Sequence, residues 1–285
     1  MKKVNLFIAG FSKCGTTSLY DLLVASPSVR GGQSKEPGYF SAVKGRIDTG
    51  SDKDWSMGGT YYKGQEWYDA LFPKRDAPYL LEASTIYGFD AESPRLIHEY
   101  NKDARIIFVV RDPYDRIESH YYQEKKTGRE LPDFHLFIES EHPRLAFYKD
   151  QSRYEQVLQN YKHFFNDKIL VLHQRQLAQP DDLAVILSGF LGINLLLSES
   201  VRSNKRMEPR FPALKKILIS FERSRFARRS PRWIQRLGST AFRFVDRLIL
   251  KKAGKPEVSP LVKNRLKAEF QATADFLQKN YSIEL

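Results

Sequence analysis

The stretch NLFIAGFSKCGTTSLYDLL, residues 5 to 23, constrains the fold more than any other. An apolar run leads into Gly10 and Gly15 at the G-x-x-x-x-G spacing, and Thr16, Thr17 and Ser18 then open a helical pattern. A strand passing through a glycine loop into a helix aims backbone N–H groups and the positive helix end at one point, which suits an anion. Thr16 stands where a nucleotide kinase has lysine after the second glycine; this chain places Lys13 inside the loop instead.

Beyond that loop, short apolar runs alternate with helical patterns. Strands are predicted at 4 to 9, 79 to 84, 104 to 110 and 168 to 173. Helices are predicted at 17 to 25, 94 to 101, 114 to 126, 153 to 165 and 181 to 191, the last closed by Gly192. Near-continuous apolar strands between helices imply a parallel β-sheet flanked by helices, an α/β fold. Residues 41 to 78 and 127 to 150 read as long irregular excursions, the kind that form lids or substrate walls. After Asn204 the pattern is helical and basic, with helices at 211 to 228, 231 to 252 and 260 to 280. The division is an α/β core over 1 to 210 and a helical C-terminal extension over 211 to 285, packed on the same domain.

Charge bears on partners. The 285 residues carry a formal net charge of +12, and residues 202 to 255 hold 17 Lys/Arg against 3 Asp/Glu. Trp233, Leu237, Ala241, Phe244, Val245 and Leu248 recur at helical spacing among arginines, so this segment reads as an amphipathic basic helix. Docking on the core, contact with an anionic membrane and contact with an anionic glycan or glycolipid all remain open. No nucleic-acid motif is present. A lone Cys14 excludes an intrachain disulfide and reads as a packing residue. Six histidines fall into no paired spacing, so no metal site is expected. MKKVNLFIAG reads as a first strand rather than a leader, and no window approaches the roughly 20 apolar residues of a membrane span. The expectation is a cytoplasmic protein, with peripheral membrane contact an option; oligomeric state is not legible.

The chemistry follows from a second motif. The strand IIFVV ends in Arg111 before Asp112, a cation where a magnesium-dependent enzyme needs an acidic ligand. A phosphatase Cys-x5-Arg loop also fails, since Tyr20 lies six residues after Cys14. The loop therefore suits an anion that needs no divalent metal.

FSKCGTTSL resembles the 5′-phosphosulfate loop of sulfotransferases that use 3′-phosphoadenosine 5′-phosphosulfate (PAPS), and VVRDPYDRIESHYYQ resembles their 3′-phosphate motif. KEPGYF at 35 to 40, EASTIY at 82 to 87 and the run from Ser152 to Ile193 extend the likeness, which is nearest to the carbohydrate and heparan-type branch. The resemblance implies a P-loop-like sulfotransferase fold and sulfuryl transfer (EC 2.8.2) from PAPS as cosubstrate. The acceptor would be a hydroxyl or amine of a carbohydrate or glycolipid. It further implies that Lys13 neutralises the leaving phosphate oxygen, that Gly15, Thr16, Thr17 and Ser18 grip the phosphosulfate, and that Arg111 and Ser119 bind the 3′-phosphate. Glu36 would be the base, with burial against Tyr39 and Phe40 raising its pKa, and Lys35 would touch the sulfuryl group or acceptor. Ala83 stands where the heparan 3-O-branch has an acceptor-binding lysine. SNKRMEPR at 203 to 210, with Lys205 and Arg206, replaces that branch's C-terminal nucleotide loop. The alternatives are a catalytically inactive nucleotide-binding or adaptor protein and a P-loop kinase.

Overall fold

A computed structural model describes residues 2–43, 58–74, 76–127, 129–197, 207–209, 211, 250–252, 254, 256 and 258–285. Lys205, Arg206, Arg210 and the basic segment 212–249 lie outside the described residues.

Five strands form one parallel sheet in the order β2-β3-β1-β4-β5: β1 (Leu6–Gly10), β2 (Val29–Gly31), β3 (Tyr79–Ala83), β4 (Arg105–Val110) and β5 (Ile169–His173). Strand β1 is buried along its whole length and β4 from Ile106 onward, which explains why both read as unbroken apolar runs. The chain leaves β1 for strands on one side and then crosses to the other, so the order in which strands are added reverses beside β1. Ligands of open α/β sheets bind at the carboxyl ends of strands beside such a point.

The connections are α1 (Thr16–Val24), α2 (Gln65–Ala70), α3 (Ser93–Tyr100), α4 (Pro113–Lys126), α5 (Phe134–Phe137), α6 (Pro143–Asp150), α7 (Glu155–Phe165) and α8 (Pro180–Leu191). Asp112 caps α4, accepting from Asp115 N at 3.0 Å, and Pro113 sits at the first turn. Gly192 ends α8 with a φ of 67°.

Strand β2, too short to carry an apolar pattern, is not predicted from the sequence. Three expectations need correction. Residues 41 to 78 are not irregular throughout, because α2 lies within them. Residues 127 to 150 are not irregular, because α5 and α6 bury Phe134, Phe137, Leu145 and Tyr148 in a second apolar cluster. The predicted helix over 260 to 280 is two helices, α9 (Pro260–Glu269) and α10 (Gln271–Tyr281), broken at Phe270. The break follows from packing: α9 buries Val262 and Leu266 in the second cluster, whereas α10 buries Leu277 in the main one. Lys149 Nζ donates to Glu269 at 2.7 Å and Thr273 donates to Glu155 at 2.8 Å, tying both helices to α6 and α7. A short antiparallel pair, β6 (Met207–Pro209) and β7 (Leu250–Lys252), completes the described chain, with β6 lying against α4.

Candidate active site

The loop after β1 is built from packing outward. Phe11 stacks between Phe108 and Tyr154, with centroids at 5.1 and 4.5 Å, and its N–H donates to Val109 O at 3.0 Å. These contacts pin the loop to β4. Gly15 has a φ of +99°, which favours glycine, and a Cβ there would lie 2.8 Å from Leu177 Cδ1, so that the leucine methyl would have to shift. Gly15→Ala is expected to lower stability by about 1–3 kcal/mol, read as a drop in Tm, and to weaken nucleotide binding together with it.

The start of α1 has no side-chain cap and no acidic residue in its first turn. Its leading N–H groups and positive dipole end thus remain available to an anion. Thr16 is buried, Ser18 half-buried and Thr17 exposed, so the four predicted loop residues form one rim with distinct exposures. Cys14 is fully buried, its Sγ 3.7 Å from Tyr154 OH, and burial pushes its thiol pKa up. It is a packing residue, as expected.

Lys13 has a φ of 68°, an uncommon conformation for a residue with a Cβ. Its ammonium donates to Gln123 Oε1 of α4 at 3.4 Å. Burial, with help from the Arg116 charge, lowers its pKa to about 8, while Glu36 opposes that fall. Arg111 follows β4 directly. Its Nη1 donates to Lys13 O at 3.4 Å and its Nη2 lies 3.6 Å from Asp115 Oδ2, whereas its buried Nε has no hydrogen-bond partner among the described residues. Ser119 is half-buried on α4, two turns beyond Arg111. His120, beside it, stacks on Tyr148 with centroids 4.1 Å apart; burial holds its pKa well below the usual value. It is a packed helix-face residue.

Glu36 occupies the loop after β2 with a φ of 57°, held where its N–H donates to Ala83 O at 2.9 Å. Thr85 Oγ1 donates to its carboxylate at 3.1 Å. Lys35 Nζ lies 3.7 Å from the same carboxylate and donates to Thr17 Oγ1 at 2.6 Å. One lysine thus bridges the base candidate and the anion loop. The expectation that Tyr39 and Phe40 bury Glu36 is wrong. Both rings turn inward, Tyr39 stacking on Tyr68 at 4.5 Å, and the Glu36 side chain stays 42% exposed.

Beneath this loop lies a network that sequence reasoning did not assign. Buried Glu82 accepts from Ser84 Oγ at 2.6 Å and Tyr68 OH at 2.9 Å, and Ser84 Oγ accepts from Gly38 N at 2.9 Å. Burial raises the Glu82 pKa to about 7, the Ser84, Tyr87 and Tyr68 hydroxyls oppose that rise, and the Glu36 charge adds to it. Thr85, Gln123 and Arg116 were missed as well. Gln123 and Arg116 stand four residues after and three before Ser119, a helical spacing that could have flagged them.

A sulfotransferase-domain family model matches residues 3–229. Heparan sulfate glucosamine 3-O-sulfotransferase 6 of Homo sapiens is 32% identical over 128 residues, covering 45% of this chain and 32% of that protein. Carbohydrate sulfotransferase 15 of Homo sapiens is 26% identical over 166 residues, covering 46% of this chain and 29% of that protein. The match therefore spans less than a third of either relative's length. The solved structure of a sulfotransferase from Alicyclobacillus acidocaldarius superposes with a TM-score of 0.66 at 20% identity, covering 100% of this chain and 98% of that one. That likeness concerns the fold. The family model, however, spans most of the chain, including all three loops around α1, and on that ground the chain belongs to the sulfotransferase family.

Proposed function

We propose that this protein transfers the sulfuryl group of PAPS to a hydroxyl or amine of an acceptor, with carbohydrate or glycolipid the acceptor class. The observation that carries this reading is the convergence, at the carboxyl edge of β1, β3 and β4, of Lys13, Glu36 and Arg111 around an uncapped helix start. Glycan-directed relatives support the acceptor class.

The residues fit such a donor. The open N-terminus of α1 and the rim hydroxyls suit the phosphosulfate, and the orphaned Nε of Arg111 supplies an unused donor for a phosphate monoester. Bound PAPS would supply the activated sulfuryl group. Lys13 would carry positive charge to the oxygen that becomes anionic, Glu36 would accept the acceptor's proton, and Lys35 would hold Glu36 against Thr17. Lys205 and Arg206 of SNKRMEPR are the further candidates for the 3′-phosphate or adenine. The reading also keeps a single α/β core over 1–210, a basic extension after it, a cytoplasmic location and an optional anionic-membrane contact.

Transfer of radiolabelled sulfate from PAPS onto a panel of glycans, glycolipids and phenols tests this function. Tight binding of adenosine 3′,5′-bisphosphate (PAP) with no transfer would favour a nucleotide-binding protein without turnover, and magnesium-dependent preference for ATP would favour a kinase. Arg111→Ala is expected to weaken PAP binding by about 10- to 100-fold, the worth of a charge-assisted hydrogen-bond set. Calorimetry measures it, and adenosine 5′-monophosphate should lose far less.

A further inference from the structure

Arg116 is 1% exposed, so its guanidinium is enclosed by protein. Its hydrogen bonds go to neutral oxygens: Tyr148 O at 3.0 Å, Ser152 Oγ at 3.1 Å and Gln151 Oε1 at 2.6 Å. Its Nε has no hydrogen-bond partner among the described residues. Buried arginines are ordinarily matched by a carboxylate because an uncompensated charge in a poorly solvated place is costly. The neighbouring Arg144 follows that rule, pairing with Glu124 at 2.8 Å, and Glu124 also takes Arg129 at 3.1 Å. Arg116 sits one helical turn before Ser119 and two before Gln123, which receives the Lys13 ammonium. Residues at i, i+3 and i+7 share one face. The buried cation therefore lies on the stripe of α4 that meets the anion loop.

We propose that Arg116 is a positioning residue for the anion loop: a buried guanidinium, with no carboxylate on it among the described residues, whose positive field acts on the Lys13 ammonium and on a phosphate-bearing ligand entering the loop. Three neutral bonds stitch α4 to the end of α6, a task that needs no charge. The charge itself is left to act on the loop. Lys13 also faces Glu36 from the loop after β2, Lys126 and Gln123 from α4, and Cys14 in its own loop. Among these, Glu36 pulls toward protonation, while Arg116 and Lys126 push against it, Arg116 more strongly. On the other side Arg116 faces Tyr154 and Cys14, and it shares α4 with Glu118 and His120. When an anion enters the loop, Lys13 regains its full proton affinity, so binding above pH 8 takes up a proton.

The effect on nucleotide binding rests on the reading of Lys13 given above; the titration of Lys13 in the ligand-free protein does not. The test follows the Cε resonance of Lys13 in lysine-labelled full-length protein as pH rises, assigned with Lys13→Arg. Gln151→Glu places a carboxylate on the guanidinium with the contact preserved, neutralising Arg116 without deleting it. Gln151 Nε2 has no partner to lose. Gln151→Glu and Arg116→Gln should each move the Lys13 midpoint up from about 8 by about half a pH unit or more, whereas Arg116→Lys should leave it near wild type. Calorimetry with PAP in buffers of different ionisation enthalpy should show proton uptake at pH 8.5 in wild type and less in Gln151→Glu. A midpoint unmoved in folded Gln151→Glu overturns the proposal, even where Arg116→Gln fails to fold. A moved midpoint with unchanged PAP binding keeps the electrostatic assignment and removes the nucleotide reading instead.

Discussion

Lys13→Ala is expected to reduce sulfuryl transfer by about 10²- to 10³-fold in kcat, the size of loss found when one preorganised donor to a developing oxyanion is removed. PAP affinity should fall much less if Arg111 and the α1 backbone hold the phosphates as proposed. The split between kcat and binding distinguishes a group that acts on the leaving oxygen from one that merely attracts anions. The pH dependence has a defined sign. With its pKa lowered to about 8, free-enzyme Lys13 loses its charge as pH rises past that value, so kcat/KM should decline on the alkaline side. The kcat profile should decline at higher pH, since bound anion restores the proton. Lys13→Arg should abolish the limb near pH 8, because arginine stays charged. Unchanged kcat in Lys13→Ala would remove the lysine from the reaction.

Glu36→Gln comes next in size, with an expected loss of about 10²-fold in kcat and PAP affinity intact, the usual weight of a general base. Gln keeps the shape, and Thr85 can still donate to its carbonyl oxygen, so a fall in rate reports the missing basicity. Its backbone lies in the left-handed region like that of Lys13, and non-glycine residues kept there concentrate at functional sites. Thr85→Val should give a smaller decrease with the carboxylate present but less well aimed. Full activity of Glu36→Gln would move the base elsewhere, with Glu82 the next carboxyl to test.

The parts legible in sequence share a physical cause: each writes its own local pattern. A buried parallel strand must be apolar throughout, a tight anion loop must have glycine at Gly15, and a cation ending β4 at Arg111 needs no knowledge of the remote chain. What escaped depends on contacts between distant segments. The Glu36 surroundings were misjudged because Tyr39 and Phe40, adjacent in sequence, turn to Tyr68 on α2. Thr85 touches Glu36 only because β2 and β3 are neighbours in the sheet. Arg116 looks like an ordinary surface arginine of an amphipathic helix until α6 covers it. Strand β2 is three residues long and owes its conformation to its partner.

Two of the displaced titrations at the site bear on the stability of the fold. Glu82, held near 7 against 4.5 in a free chain, keeps its proton when the unfolded protein has lost it, so its contribution to stability declines as pH rises from 4.5 to 7. Lys13, held near 8 against 10.5, gives up its proton before the unfolded chain does, so its contribution improves between 8 and 10.5. Together these two contributions are smallest between about pH 7 and 8, while the buried His120, whose proton the folded protein sheds first, works against the Glu82 decline below 6.5. A nucleotide that restores the Lys13 charge would then act as a folding ligand whose thermal protection shrinks as pH rises above about 8.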